Sequence, residues 1–169
     1  GGTRDRIASG VSIGIQDSLD QLVEKVEKEL AAGYKRIKIK IKRGWDLNAV
    51  EAVRAKYPDI LLMVDANAAY SATDGAHLAK LDPYKLMMIE QPLEYDDVMD
   101  HVQLQKEIAT PICLDESIVH ARAAAHALAA DPIDRAAQFI EPATHAGQQL
   151  GAVLGERHCA CVPPKQRHA

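Results

Sequence analysis

Three cysteines in 169 residues cannot complete a disulfide framework. Cys113 falls in an apolar run, where a reduced thiol behaves as a small hydrophobe. Cys159 and Cys161 form a C-x-C without a second pair, a weak basis for zinc. No apolar run approaches the roughly 20 residues that span a bilayer, and no signal-peptide pattern is legible. Charge of one sign is not in excess either. Twenty Lys and Arg against 24 Asp and Glu leave a net charge of −4, which gives none of the basic field that nucleic acid binding needs. The seven histidines (His77, His101, His120, His126, His145, His158 and His168) make no H-x-H or H-x-x-x-H pair on a strand. That disfavours zinc and marks most of them as surface residues. Ser12 and Ser117 have no histidine and acid nearby in sequence to activate them. These absences exclude a secreted disulfide scaffold, a membrane span and a nucleic-acid binder. A cytoplasmic globular domain is the expectation, and 47% hydrophobic content suffices for one core.

Against that background three carboxylates recur at one interval. Asp65, Glu90 and Asp115 stand 25 residues apart, and each closes an apolar run: LLMVD, LMMIE and PICLD. A repeat of that length fits strand, turn, helix and turn, the unit of a parallel α/β barrel or a doubly wound sheet. Each acid then lies at the carboxyl end of its own strand, where such folds build their sites. Three hard oxygen ligands converging from neighbouring strands suit a divalent cation such as Mg²⁺, or Mn²⁺ in its place. The plainer alternative is that the acids only cap the helices that follow.

One repeat upstream, Arg36-Ile37-Lys38-Ile39-Lys40-Ile41-Lys42 alternates strictly. It reads as a strand with isoleucines on one face and cations on the other. Lys40 is again 25 residues from Asp65, so Lys38 and Lys40 are expected to point inward, toward the acids. Inward ammonium groups are costly unless negative charge pairs them, and the acids supply it. A solvated edge strand guarded by lysines is the alternative.

The periodicity predicts strands over 10–16, 35–41, 60–65, 86–90 and 111–115, with a sixth over 134–140. Helices are expected from Asp17 or Ser18 to Ala32, over 46–56, 73–81 and 96–108, and from Ser117 or Ile118 to Ala130. Residues 1–141 thus form a partial barrel domain of about five to six βα units. Residues 142–169, with scattered proline and glycine, read as an irregular or disordered tail. Tyr34, Trp45, Tyr57 and Tyr70 stand at element boundaries as packing anchors. Glu94-Tyr95-Asp96-Asp97 is an acidic helix start favoured by the dipole. Alternation along the strand would turn Glu116 away from Asp115.

The segments KIKIK at 38–42, VDAN at 64–67, IEQPL at 89–93 and CLDES at 113–117 resemble the enolase superfamily, in its muconate-lactonising-like subgroup. GVSIGIQ at 10–16, GYKRIKIKI at 33–41 and PICLDESI at 111–118 resemble its o-succinylbenzoate synthase and N-acylamino acid racemase members. The resemblance covers residues 1 to about 135. It implies an incomplete TIM-type (β/α) barrel following a separate capping domain. It also implies Mg²⁺ held by Asp65, Glu90 and Asp115, with Lys40 as acid/base, Lys38 in support and Asn67 near the metal. The implied reaction removes the proton α to a carboxylate in a small-molecule substrate.

The likeness departs near the end. Family members carry a second catalytic lysine on the sixth strand, at a register where this chain has Phe139. A shifted reading frame near position 136, or a shortened chain, would explain a good barrel followed by an unpatterned tail. Impaired activity is therefore expected, and an open sheet edge favours a homo-oligomer. Two other readings compete: a Schiff-base enzyme using Lys40 covalently, which the acid register opposes, and a non-catalytic fragment that binds metal or self-associates.

Overall fold

Five of the expected apolar runs pair into one parallel sheet. The structure, a computed structural model, describes residues 8–96 and 98–129. Its strands are β1 (Gly10–Ile13), β2 (Arg36–Lys40), β3 (Leu61–Asp65), β4 (Ile89–Glu90) and β5 (Ile112–Cys113). All neighbours are parallel, and the order β1-β2-β3-β4-β5 follows the chain without reversal. A doubly wound sheet reverses its order at a switch point, whereas barrel winding does not. The architecture is an incomplete (β/α) barrel.

Helices α1 (Leu19–Ala31), α2 (Leu47–Lys56), α4 (Val98–Glu107) and α5 (Ala121–Ala129) follow their strands, with a single α-turn, α3 (Gly75–Leu78), after β3. Ser18 starts α1 by accepting the Gln21 N–H at 3.2 Å. Gly33, at φ +100°, lets the chain leave it in the left-handed region open to glycine. Asp46 caps α2 through the Leu47 N–H at 2.7 Å.

Alternation decides which side each strand residue takes. Ile37 and Ile39 are fully buried against Leu22, Val26, Val50 and Val53 in the main core. The other face of β2 carries Lys38 and Lys40. Met63, Met88 and Cys113 form a second small apolar cluster. Met63 and Met88 stand two residues before Asp65 and Glu90 on the same face, so they floor the acid layer with dry side chains.

Register fixes the rest. Lys40 is level with Asp65 and Asp65 with Glu90, as the 25-residue interval predicts. Glu90, however, is level with Cys113. Asp115 therefore lies two residues past the expected level, about 7 Å of extended chain.

Several boundaries move. β1, β4 and β5 are shorter than expected; β4 stops where Gln91 turns left-handed (φ +37°) before Pro92. The helix expected over 73–81 breaks into 3₁₀ turns at Ala72–Asp74 and Ala79–Tyr84 around α3. Pro83, lacking an N–H, keeps that stretch from continuing as α-helix. His101 is an exception among histidines expected mostly at the surface: it is fully buried in α4. The sixth strand at 134–140, Phe139 and the 142–169 tail with Cys159 and Cys161 lie outside the described residues. Among the described residues no helix is long and apolar enough to cross a membrane.

Candidate functional site

The carboxyl ends of β2, β3 and β4 bring two acids and two lysines together. Lys38 Nζ donates to both Glu90 oxygens, at 2.8 and 2.9 Å, and lies 3.4 Å from Asp65 Oδ2. Lys40 Nζ donates to Asp65 Oδ2 at 2.6 Å and to Asn67 Oδ1. Asp65 and Glu90 are each 1% exposed. The lysine side chains keep some access, 20% for Lys38 and 32% for Lys40, so Lys40 stands nearer the open mouth. Burial pushes the Glu90 carboxyl up, to about 7, against the pull of the Lys38 ammonium; Asp65 beside it adds to the rise.

The turns after these strands are bent tightly. Asn67 (φ +41°), Ala68 (φ +60°) and Gln91 (φ +37°) all lie in the left-handed region, right behind Asp65 and Glu90. Non-glycine residues hold such backbone only where their surroundings demand it. The Asn67 N–H donates to Asp65 Oδ1 at 3.1 Å, and Asn67 Nδ2 donates to Glu116 Oε1 at 2.8 Å. Position 116 lies past the end of β5 at Cys113, and its carboxylate meets Asn67. Gln91, fully buried, accepts the N–H groups of Asp115 and Ser117 on Oε1 at 2.9 and 3.2 Å.

The expected ligand set is thus only partly gathered. Asp65 and Glu90 meet, but among the described residues no three His, Cys, Asp or Glu side chains form a group that could hold a metal ion. The backbone register sets Asp115 two residues past the level of Glu90, and the two ammonium groups supply the positive charge that buried carboxylates require. The donor chemistry still fits a divalent cation: two buried hard-oxygen ligands above an apolar cluster, one of them with its carboxyl raised by burial, and a third acid just past the next strand.

A second polar cluster lies beside the site, in the segments after β2 and β3. Asp46 Oδ2 receives the Tyr70 hydroxyl at 2.9 Å and stands 2.7 Å from His77 Nε2. Tyr70 and His77 stack with ring centroids 6.2 Å apart. Burial alone would raise the Asp46 carboxyl, but hydrogen bonds from His77, the Leu47 N–H and Tyr70 outweigh it and hold it below its usual value. Burial, then Asp46, push the Tyr70 phenol far above its ordinary range. Arg43 pairs with Asp74, which also accepts the Ser71 N–H and hydroxyl at 2.8 and 2.9 Å. Tyr70 is therefore a hydrogen-bonded member of a network rather than only an apolar anchor.

Sequence reasoning missed Gln91, Glu116, His101 and the Asp46–Tyr70–His77 group. One signal was available: Gln91 is a polar residue between a strand-ending acid and a proline.

Comparison with known proteins agrees with this geometry. The Enolase C-terminal domain-like family matches residues 21–145. An N-succinylamino acid racemase from Amycolatopsis is 54% identical over 129 residues, covering 76% of this chain and 35% of the relative. An o-succinylbenzoate synthase from Geobacillus kaustophilus is 54% identical over 118 residues, covering 70% and 32%. The chain spans about a third of the length of these curated relatives. A solved enolase-superfamily member from Enterococcus faecalis superposes with a TM-score of 0.79 at 40% identity, over 94% of this chain and 43% of that one. A racemase from Streptomyces coelicolor, solved with bound magnesium, has a TM-score of 0.66 at 26% identity over 72% of this chain and 36% of its own. The chain belongs to the enolase superfamily, as part of its C-terminal barrel domain.

Proposed function

We propose that this chain carries the cation site and one acid/base of an enzyme that abstracts the proton α to a carboxylate, in o-succinylbenzoate synthesis, N-acylamino acid racemisation or both. The observation that carries this reading is the level row Lys40–Asp65–Glu90, with the Lys40 ammonium toward the open mouth. A lysine base working with Mg²⁺ is the general enolase-superfamily pattern, which the family membership brings to these residues. Asp65, Glu90 and Asp115 are the residues that would hold Mg²⁺. When bound, the ion supplies Lewis acidity toward the negative charge that develops on the substrate carboxylate.

The remaining work falls to the chain's own groups. Lys40, deprotonated, takes the α-proton on Nζ; Asn67 Oδ1 and Asp65 Oδ2 hold that nitrogen in place. Lys38, bound to both Glu90 oxygens, offsets the charge of the acids.

Dehydration can use one lysine on one face: Nζ removes the proton and returns it to the departing hydroxyl. Racemisation needs an acid on the opposite face, for which the family uses a lysine that has no counterpart at Phe139. Residual dehydration is therefore favoured over racemisation, and both are weak in this chain alone. We also propose a cytoplasmic setting and a homo-oligomer; β1 and β5 are the outer strands among the described residues, and an outer strand edge favours association.

The test is deuterium exchange at the α-carbon of an N-succinylamino acid in D₂O with Mg²⁺, followed by NMR. Mg²⁺-dependent exchange that Lys40→Ala lowers at least about 100-fold is expected. Exchange that ignores Mg²⁺ or survives Lys40→Ala would refute the reading, and efficient racemisation would refute the weakness assigned to this chain alone.

A further inference from the structure

Gln91 directly follows Glu90, is fully buried and holds φ at +37°. That conformation is unfavourable for a residue other than glycine, and survives only where contacts over-determine it. The side chain supplies those contacts. Oε1 accepts the N–H groups of Asp115 at 2.9 Å and Ser117 at 3.2 Å. Nε2 donates to Ser117 Oγ at 2.8 Å and to the Leu93 carbonyl at 3.1 Å. An amide has two donors and one oxygen with two lone pairs, so these four bonds use its full capacity. The backbone adds two more ties: the Gln91 N–H donates to Cys113 O, and its carbonyl accepts the Ala68 N–H, both at 2.8 Å. From the helix side, His101 Nε2 accepts the Leu93 N–H at 3.2 Å and steadies the same turn. One residue therefore links the chain segments that leave β3, β4 and β5.

A buried glutamine can be purely structural, and the fold contains that comparison. Gln105 sits at the opposite end of β5, where Oε1 accepts the Ile112 N–H at 2.7 Å and Nε2 donates to the carbonyls of Ile108 and Thr110, each at 3.2 Å. It performs the same kind of clamp on the same strand, away from the acids.

We propose that Gln91 is a positioning residue of the cation site: its carboxamide fixes the loop after β5 so that Asp115 is presented to the side where Asp65 and Glu90 stand. The proposal rests on the cation reading above. It explains how an acid two residues out of register can still serve the same ion. The strain at residue 91 then places the carboxamide under the Asp115 loop.

The experiment measures Mn²⁺ affinity of the full chain by electron paramagnetic resonance of the free ion, and amide hydrogen exchange without metal. Gln91→Met removes the polar clamp at similar length and is expected to weaken Mn²⁺ binding about tenfold or more, the range for residues that orient metal ligands. Gln91→Glu keeps both accepting positions and should bind closer to wild type. Gln105→Met should lose stability to a similar degree while holding its affinity within about threefold. The amides of Asp115 and Ser117 should exchange faster in Gln91→Met and stay protected in Gln91→Glu. Equal weakening by Gln91→Met and Gln105→Met, or unchanged protection at Asp115 and Ser117, would overturn the proposal. Should Gln91→Met not fold, Ser117→Ala decides, since it removes one bond to Nε2: about threefold weaker binding supports the proposal and wild-type affinity overturns it. A wild-type chain that binds no Mn²⁺ would overturn the cation reading and this inference with it, an outcome distinct from wild-type binding that Gln91→Met leaves intact.

Discussion

Glu90 should make the cation-free chain less stable as pH rises toward neutrality, the reverse of the usual carboxylate. Its carboxyl is carried from 4.5 to about 7, first by burial and then by Asp65, with Lys38 opposing. Below pH 4.5 the group is protonated in folded and unfolded states alike and contributes no penalty. Between 4.5 and 7 the folded state holds a proton that the unfolded state has released, so stability falls as pH climbs. At about 1.4 kcal/mol per pH unit the full loss is about 3 kcal/mol, or roughly 6–12 °C in melting temperature for a chain of this size. Asp46 and Asp74, whose carboxyls are held low, act below about pH 4 and leave this window clear. The assay is thermal unfolding with chelator from pH 5 to 8, for the wild type and Glu90→Gln. The wild type should lose most of that stability relative to the variant, and Mg²⁺ at 100 times its dissociation constant should return about 2.7 kcal/mol at pH 8. Parallel pH profiles, or a wild type that gains on the variant as pH rises, would refute the reasoning.

Lys38→Met removes the only bidentate cation on Glu90 among the described residues. It should destabilise by about 2–4 kcal/mol at pH 8 by denaturant unfolding, somewhat less than a fully buried pair because Lys38 is 20% exposed and Lys40 remains. Tyr70→Phe leaves Asp46 without one of its donors and should cost about 1–2 kcal/mol in the same measurement. The Asp46 and Asp74 carboxyls stabilise the fold above their unfolded value of 3.8 and cease to do so as pH falls through their lower folded values. Acid unfolding of Asp46→Asn should therefore show a weaker pH dependence below about pH 4. Ser18→Ala should lower stability by about 1 kcal/mol through its lost helix cap, with no change in cation affinity.

The β2 strand was fully legible, because a lysine-isoleucine alternation allows only one division of faces once a core is present. The acids at the ends of β3 and β4 were legible for the same reason, as each closes an apolar run. The level of Asp115 was not. Chain intervals count residues, whereas strand register depends on loop geometry, and Glu90 pairs with Cys113 rather than with the residue 25 places on. The contact of Glu116 with Asn67 was not legible either, because position 116 lies beyond the end of β5, where alternation gives no guide. The burial of His101 was not legible, since a polar side chain is buried only where the folded chain brings it a partner, here the Leu93 N–H. The break between residues 72 and 84 was signalled by Pro83, which the helical spacing of Leu78 and Leu81 obscured.

Anomalous scattering from crystals soaked in Mn²⁺ tests the central claim most directly. One strong peak should lie against the carboxylates of Asp65, Glu90 and Asp115. No peak there at saturating Mn²⁺, or a peak held by other side chains, would contradict it.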